Sequence, residues 1–218
     1  MEQIQQLGDL LKSRDTQAIL AFIHDNKEVL TQTNAQGISG LVLIAYYQLP
    51  EVLSAVIPLK QPLTFYEAVV CGQLAEVKNS ISKDASLVHQ IAADGFPPLS
   101  LACYFGHREV ATYLLDNGAK VDTVATNGSN LQALHAAVAR NDTFMCELLL
   151  KNGAAVDAVQ AQNVTPLHSA VHRGNLEMAK LLVQYGANLT TQMDNGDTAL
   201  SIAKREGHTS LIDYLQSI

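Results

Sequence analysis

The chain has 218 residues, of which 48% are hydrophobic and 16% are charged, and its formal net charge is −7. A chain this long and this apolar can bury a sizeable core, which excludes an intrinsically disordered protein. The acidic balance argues against a protein that binds nucleic acid through a broad basic surface. One substantial domain or two small ones remain possible.

From its composition, we expect the amino-terminal segment to carry no export signal. It reads MEQIQQ, which is neither the basic start of a secretory signal nor an Arg-rich transit peptide. The three cysteines, Cys71, Cys103 and Cys146, are too far apart for a zinc ribbon and are odd in number. They are typical of buried thiols in a reducing compartment. We therefore expect a cytoplasmic protein.

The most apolar segment, LVLIAYYQLPEVLSAVIPL, runs from Leu41 to Leu59. Gln48, Pro50 and Glu51 interrupt it, so it is too short on either side of the interruption to cross a bilayer. The pattern predicts two packed helices, and we expect no membrane association.

Four similar stretches fill the second half of the chain. Each predicts an apolar helix, a bend and a second apolar helix, and three of them then continue with Gly-Ala. Proline suits the first turn of a helix, and glycine suits the position after its end, where a left-handed residue is needed. The four stretches are PPLSLACYFGHREVATYLLDNGAKV from Pro97, QALHAAVARNDTFMCELLLKNGAAV from Gln132, TPLHSAVHRGNLEMAKLLVQYGANL from Thr165 and TALSIAKREGHTSLIDYLQSI from Thr198.

Weaker copies of the pattern extend toward the amino terminus. Most neighbouring bends are 33 to 35 residues apart, but Gln48 and Gly72 are separated by only 24. The missing residues fall at PLKQP, residues 58–62, which predicts a joint without a hairpin finger. The seven predicted bends are Arg14, Gln48, Gly72, Gly106, Asn141, Gly174 and Gly207.

A period near 33 residues together with the TPLHSA signature resembles the ankyrin repeat family. The resemblance implies an all-α fold, an ankyrin-repeat solenoid of stacked helix-turn-helix units with short β-hairpin fingers. It implies a single domain over residues 1–218, in which the first two repeats depart most from the pattern. The seven repeats would span approximately residues 1–34, 35–60, 61–93, 94–127, 128–161, 162–194 and 195–218.

The two histidines of TPLHSAVH, His168 and His172, invite comparison with a zinc-binding helix because they are four residues apart. Ser169 stands where a metalloprotease has its glutamate, and no third ligand follows at a familiar spacing. The resemblance instead makes His135 and His168 structural, each bonding backbone or a threonine hydroxyl to tie repeats together. His172 lies just before a bend and is expected to face solvent, so we predict no metal site.

No catalytic motif is present in the sequence: there is no P-loop, nucleophile elbow or HExxH. The recurring leucines and alanines are accounted for as core, with Leu99, Leu134, Leu167 and Leu200 in one equivalent position. We predict that the protein is not an enzyme, that it has no catalytic residues, and that it takes no cofactor.

The resemblance implies that a partner would meet the finger tips and the concave face formed by the first helices. The residues just before each bend are aromatic in the middle of the chain and basic toward its carboxyl end, and both types anchor interfaces. An equally open alternative is that the aromatics pack on their own fingers and the arginines are merely solvated. The candidate partner-binding residues are Tyr47, Phe96, Tyr104, Phe105, Arg140, His172, Arg173 and Arg205.

These observations predict a non-catalytic protein–protein interaction module, an adaptor or inhibitor that is a monomer by itself and binds another protein. The partner would offer an acidic segment or one complementary to aromatic side chains. The alternative is a homo-oligomeric structural protein that self-associates through its apolar amino-terminal repeats. Fold does not select the partner, so the sequence leaves its identity open.

Overall fold

The computed structural model describes residues 2–218, and fourteen α-helices form in that range. They follow one another as pairs whose two members are in contact. The first helices of the pairs are α1 (Glu2–Ser13), α3 (Gly40–Tyr46), α5 (Phe65–Val70), α7 (Pro98–Phe105), α9 (Ala133–Ala139), α11 (Pro166–His172) and α13 (Ala199–Glu206). The second helices are α2 (Thr16–Asp25), α4 (Pro50–Val56), α6 (Leu74–Lys83), α8 (Arg108–Asp116), α10 (Thr143–Lys151), α12 (Leu176–Gln184) and α14 (Thr209–Gln216).

The chain forms two compact units. The amino-terminal unit extends to Leu87 and includes Ala92–Asp94, while the carboxyl-terminal unit consists of Val88–Ile91 and Gly95–Ile218. Within the amino-terminal unit α3 packs on both α1 and α5, and within the carboxyl-terminal unit α7, α9, α11 and α13 pack on one another in that order. Stacking of this kind buries apolar faces that a single helix pair would leave exposed.

All seven predicted bends have a positive φ, from 52° at Gln48 to 78° at Gly106, which confirms where the chain turns between paired helices. Side chains other than glycine are rare in this region, and asparagine is among the more tolerant, as at Asn141 with a φ of 64°. The limits assigned to the repeats stay a prediction.

Glycine at two of the bends is needed for space as well as for φ. A Cβ at Gly106 would lie 2.8 Å from Nε of Arg140, and one at Gly174 would lie 2.8 Å from Cε1 of His208. Both obstacles are side chains of the next repeat. Gly207, in the last bend, would meet nothing within 4 Å, so there only the backbone conformation favours glycine.

The core is built from the equivalent positions that the sequence indicated. Leu99, Leu134 and Leu167 are buried, and so are the leucines of the second helices, Leu114 and Leu149 among them. Burying one leucine contributes about 1.5–3 kcal/mol, so these repeated positions supply much of the stability. Leu200 is the exception: it is only half-buried, because the last repeat has no following pair to cover it in the described structure.

The apolar segment from Leu41 to Leu59 forms α3, α4 and a short 3-10 helix, as its interruption predicted. Between residues 2 and 218, no helix is long and apolar enough to span a membrane. After Ile57–Leu59 only five residues precede α5, and they form neither strand nor hairpin, as predicted for this joint. In the described fingers the β-structure is limited to isolated bridges, Thr33 to Ser39 and Gln160 to Val164.

Candidate interaction surface

The buried histidines form the clips that the resemblance implied. At the third position of α11, Nδ1 of His168 accepts from the backbone N–H of Thr165 (3.1 Å), and Nε2 lies 3.0 Å from the carbonyl of Thr191. Because Nδ1 is an acceptor, Nε2 carries the proton and donates. His135 repeats the arrangement with Gln132 (3.2 Å) and the carbonyl of Ala158 (3.0 Å).

Each histidine clip therefore links the start of its own helix to the finger that follows its helix pair. Burial lowers the pKa of both imidazoles below the usual value, because the charged form would lose its hydration. These contacts use both ring nitrogens of each histidine, so neither His135 nor His168 belongs to a binding surface.

A second buried clip, which sequence analysis missed, lies at the joint without a finger. Glu67 is 3% exposed, stands at the third position of α5, and forms an ion pair with Lys60, which is 9% exposed. Its carboxylate also accepts from Ser39 Oγ (2.8 Å) and from the backbone N–H of Thr64 (2.8 Å). Burial raises the pKa of Glu67, but hydrogen bonds from these neighbours outweigh burial and leave the pKa below its usual value. The T-x-x-E spacing of a capping box was the signal that could have indicated this role.

The candidate surface begins where Arg140 reaches back across a bend. Its guanidinium lies against Gly106 and donates to the carbonyl of Tyr104 (3.0 Å). Tyr104 is 37% exposed, and its ring meets Phe105 edge-on at 5.0 Å between centroids. Phe105 in turn stacks on His107 at 6.3 Å. The structure thus brings Tyr104, Phe105 and Arg140 together.

Phe96 and Tyr47 are placed differently. Phe96 directly follows the turn of its finger and is half-buried ahead of α7. Tyr47 is half-buried in the amino-terminal unit, where its carbonyl accepts from Arg14 (3.3 Å). The other candidate residues belong to the carboxyl-terminal unit.

The three basic residues toward the carboxyl end differ in how their charge is compensated. Arg205 donates to Asp197 and lies 3.2 Å from Glu206, so two carboxylates offset it. His172 is exposed, with Nδ1 3.5 Å from the same Glu206. Arg173 is exposed, and within the part of the chain that the structure describes its guanidinium binds no hydrogen-bond or ion-pair partner.

The three thiols are buried and held in their protonated form. Burial raises the pKa of Cys71 and of Cys146 to about 12, and it raises the pKa of the fully buried Cys103 as well. A thiol in that state is a poor nucleophile because the thiolate is the reactive form. Within residues 2–218, no three His, Cys, Asp or Glu side chains are grouped so that they could hold a metal ion.

Comparison with known proteins agrees with the repeat pattern. The family described as "Ankyrin repeats (3 copies)" matches residues 14–160, 99–193 and 134–217, which together cover nearly all of the chain. A relative in Rattus norvegicus, "Ankyrin repeat and SAM domain-containing protein 6", is 35% identical over 82 residues. That alignment covers 38% of this chain and 9% of the relative, so it extends to a small part of the larger protein.

Ankyrin repeats are general protein-interaction modules. With seven helix pairs, a positive φ at every bend and the family match over its length, the chain belongs to the ankyrin repeat family.

Proposed function

We propose that this chain is a non-catalytic adaptor or inhibitor that binds an acidic segment of a partner protein along the bends of α7, α9 and α11. The proposal rests on the position, the exposure and the ion pairing of Arg140 and Arg173. They occupy equivalent positions, one residue before the bend in neighbouring repeats, and both are exposed. Neither forms an ion pair with a carboxylate within residues 2–218, whereas Arg205 binds two.

The spacing of these two arginines favours a particular kind of partner. Packed helices lie about 8–10 Å apart, and α9 packs directly on α11. A row of two exposed guanidinium groups at this spacing, neither of them in an ion pair with a described carboxylate, suits an extended acidic segment, whose residues advance by about 3.3 Å each. Tyr104 and Phe105 continue the row on the α7 side with aromatic area, which supports an apolar residue beside the carboxylates. Phe96 and His172 belong to the proposed surface as secondary contacts, whereas Tyr47 lies in the amino-terminal unit and stays a separate prediction.

The proposal is tested by reversing the charge of the row. The variant Arg140→Glu/Arg173→Glu should lose the partner that wild type captures from a lysate of the source cells. Arg140 also supports the bend at Gly106, so thermal unfolding of the variant must be measured beside the capture. Lys27→Glu/Lys120→Glu is the matched control, because it changes net charge equally at two exposed lysines away from the bends. A partner retained by the folded charge-reversal variant, or lost equally by the control, contradicts the proposal.

Self-association through the amino-terminal repeats receives little support from the structure. Among its described residues the amino-terminal unit leaves one large hydrophobic side chain exposed, Leu59 at 45%, and its other large apolar residues are at least partly covered. An interface between copies needs a contiguous apolar patch. The buried, unpaired thiols of Cys71, Cys103 and Cys146 agree with the proposed action in the cytoplasm.

A further inference from the structure

Asparagine followed directly by glycine occurs four times in the chain, and asparagine is a chemically labile residue. The backbone nitrogen of the glycine can attack the side-chain amide carbon of the asparagine, because glycine has no Cβ to shield that nitrogen. Both residues of every pair are exposed, so access of water does not distinguish the pairs. They are Asn117-Gly118, Asn127-Gly128, Asn152-Gly153 and Asn195-Gly196.

In three of the pairs the fold holds the attacking group. The glycine N–H donates to the carbonyl three residues earlier, so attack first requires that a turn opens. The three bonds are Gly118 to Leu115 (2.9 Å), Gly153 to Leu150 (3.0 Å) and Gly196 to Met193 (2.9 Å). The side-chain amides of Asn117 and Asn152 are held as well, because each donates to a carbonyl of the preceding helix at 2.8 Å.

The fourth pair, Asn127-Gly128, lies in the finger between α8 and α9 and differs from the other three. Within residues 2–218, the N–H of Gly128 donates to no backbone carbonyl. The nitrogen of Gly128 can therefore attack without the opening of a turn.

The side-chain carbonyl of Asn127 is also polarised. Its Oδ1 accepts from the hydroxyl of Ser129 (2.6 Å) and from the N–H of the same residue (3.2 Å). A backbone N–H can only donate, so the atom that it meets is the amide oxygen. The hydroxyl of Ser129 in turn accepts from the N–H of Leu131 (3.3 Å), which strengthens it as a donor. Two donors on this oxygen stabilise the negative charge that it gains when its carbon is attacked.

We propose that Asn127 is a site of self-modification, at which the folded chain converts an asparagine to aspartate or isoaspartate with water as the only co-reactant. The nitrogen of Gly128 forms a bond to Cγ of Asn127 and gives its proton to solvent. The bond from Cγ to Nδ2 breaks, and that nitrogen takes up a proton and leaves as ammonia. Water then opens the resulting cyclic imide: addition at Cγ gives aspartate, and addition at the backbone carbonyl carbon gives isoaspartate.

The modification acts on a contact between two successive fingers. The N–H of Thr126 donates to the carbonyl of Gly95 in the preceding finger (2.8 Å), and a Cβ at Gly95 would lie 2.9 Å from both Cβ and N of Asn127. Isoaspartate carries the main chain through Cβ and Cγ, so it lengthens the backbone at this close contact. We expect isoaspartate to weaken the bond from Thr126 to Gly95, whereas aspartate leaves the backbone unchanged.

The test is to incubate the full chain in buffer and to follow the four asparagines by peptide mapping with mass spectrometry. In the folded protein Asn127 should convert about tenfold or more faster than each of the others, whose glycine N–H groups are released only by local opening. In concentrated urea the four rates should become similar. The rate at Asn127 should rise with pH, since the attacking nitrogen must lose its proton.

Two substitutions at Ser129 test the activation of the carbonyl. Ser129→Ala should slow the conversion of Asn127 about fivefold, as for the loss of one hydrogen bond, and Ser129→Thr, which keeps the hydroxyl, should preserve the wild-type rate. Equal rates at the four asparagines of the folded chain, faster conversion at another of them, or an unchanged rate in Ser129→Ala overturns the proposal.

Hydrogen exchange tests the effect on the fingers. The amide of Thr126 should exchange faster in incubated protein that contains isoaspartate than in Asn127→Asp, which carries the same charge on a normal backbone. Equal exchange in the two samples overturns the assigned effect on the contact with Gly95.

Discussion

The same position of the repeat is filled by different chemistry in the two units. In the carboxyl-terminal unit the third residue of α11 is the neutral His168, which binds the carbonyl of Thr191 in the following finger. In the amino-terminal unit the third residue of α5 is the ionised Glu67, which binds Lys60 from the preceding joint. Both side chains also accept a hydrogen bond from the backbone N–H of the residue that caps their helix.

The difference shows that one position of the repeat can be held from either side. The imidazole of His168 binds a carbonyl of the finger that follows its helix pair, whereas the carboxylate of Glu67 binds Lys60 of the shortened joint that precedes its helix pair. A buried ion pair is costly to desolvate and depends on both members being present. The histidine clip carries no charge and has no such dependence.

The largest expected effect comes from removing the cation of the buried pair. Lys60→Met leaves Glu67 buried without its counter-ion and should lower the free energy of unfolding by about 3–5 kcal/mol. Lys60→Met/Glu67→Gln removes both charges, keeps an acceptor for Thr64, and should recover more than half of that loss. Urea unfolding of the two variants and wild type measures this. Equal losses in the single and double variants would show that the charge is not the cause.

Removing the neutral clip should cost less. His168→Ala leaves the N–H of Thr165 and the carbonyl of Thr191 without their partner, which costs about 1–3 kcal/mol. His172→Ala is the matched control on the same helix: its side chain is 64% exposed, so the change should stay within about 0.5 kcal/mol. Urea unfolding of both variants measures the two losses. Similar losses in His168→Ala and His172→Ala would contradict a structural role for His168 and a solvent-exposed role for His172.

The smallest effect is a difference in response to pH. The pKa values of His135 and His168 are lowered in the folded protein, so the unfolded chain binds more protons than the native state once the pH falls below the usual value of 6.5. The contribution of these clips to the free energy of unfolding is therefore complete above pH 6.5, and it declines as the pH falls toward the folded pKa values. The pKa of Glu67 is lowered from 4.5, so its contribution is lost only at still lower pH.

Between about pH 7 and pH 5, histidine protonation should therefore destabilise the carboxyl-terminal unit and leave the Glu67 clip intact. Hydrogen-exchange protection, taken relative to the intrinsic amide rate at each pH, should fall in α9 and α11 more than in α5. The variant His135→Gln/His168→Gln should lose this pH dependence. An equal fall in all three helices, or a variant with the wild-type response, would show that other groups titrate.

Much of the fold could be predicted because it depends on local and repeated signals. Gly106 and Gly174 mark bends by their conformational freedom, Pro166 marks a helix start, and the spacing of Leu134 and Leu167 marks a shared core. The shortened joint was visible as a gap in the period. Leu200 was assigned to the core by equivalence, but burial there depends on a neighbouring helix pair, and none of the described residues supplies one on that side.

The candidate surface was harder to predict, because exposure and charge compensation depend on neighbours from other repeats. The sequence placed Arg140, Arg173 and Arg205 in one basic strip, yet Arg205 differs from the other two because the fold brings Asp197 to it and because its neighbour in the chain, Glu206, offsets its charge.

By itself, the sequence determined the repeating unit, the bends and the membership of a family of interaction modules, and the resemblance to that family implied the structural role of His135 and His168. The repeats and bends follow from periodicity and from local backbone preferences, which act over a few residues. The tertiary structure alone decided that Lys60 meets the buried Glu67 and that Arg173 forms no ion pair with a described carboxylate. These outcomes depend on burial and on distances between side chains in the folded chain, which no single stretch of sequence specifies.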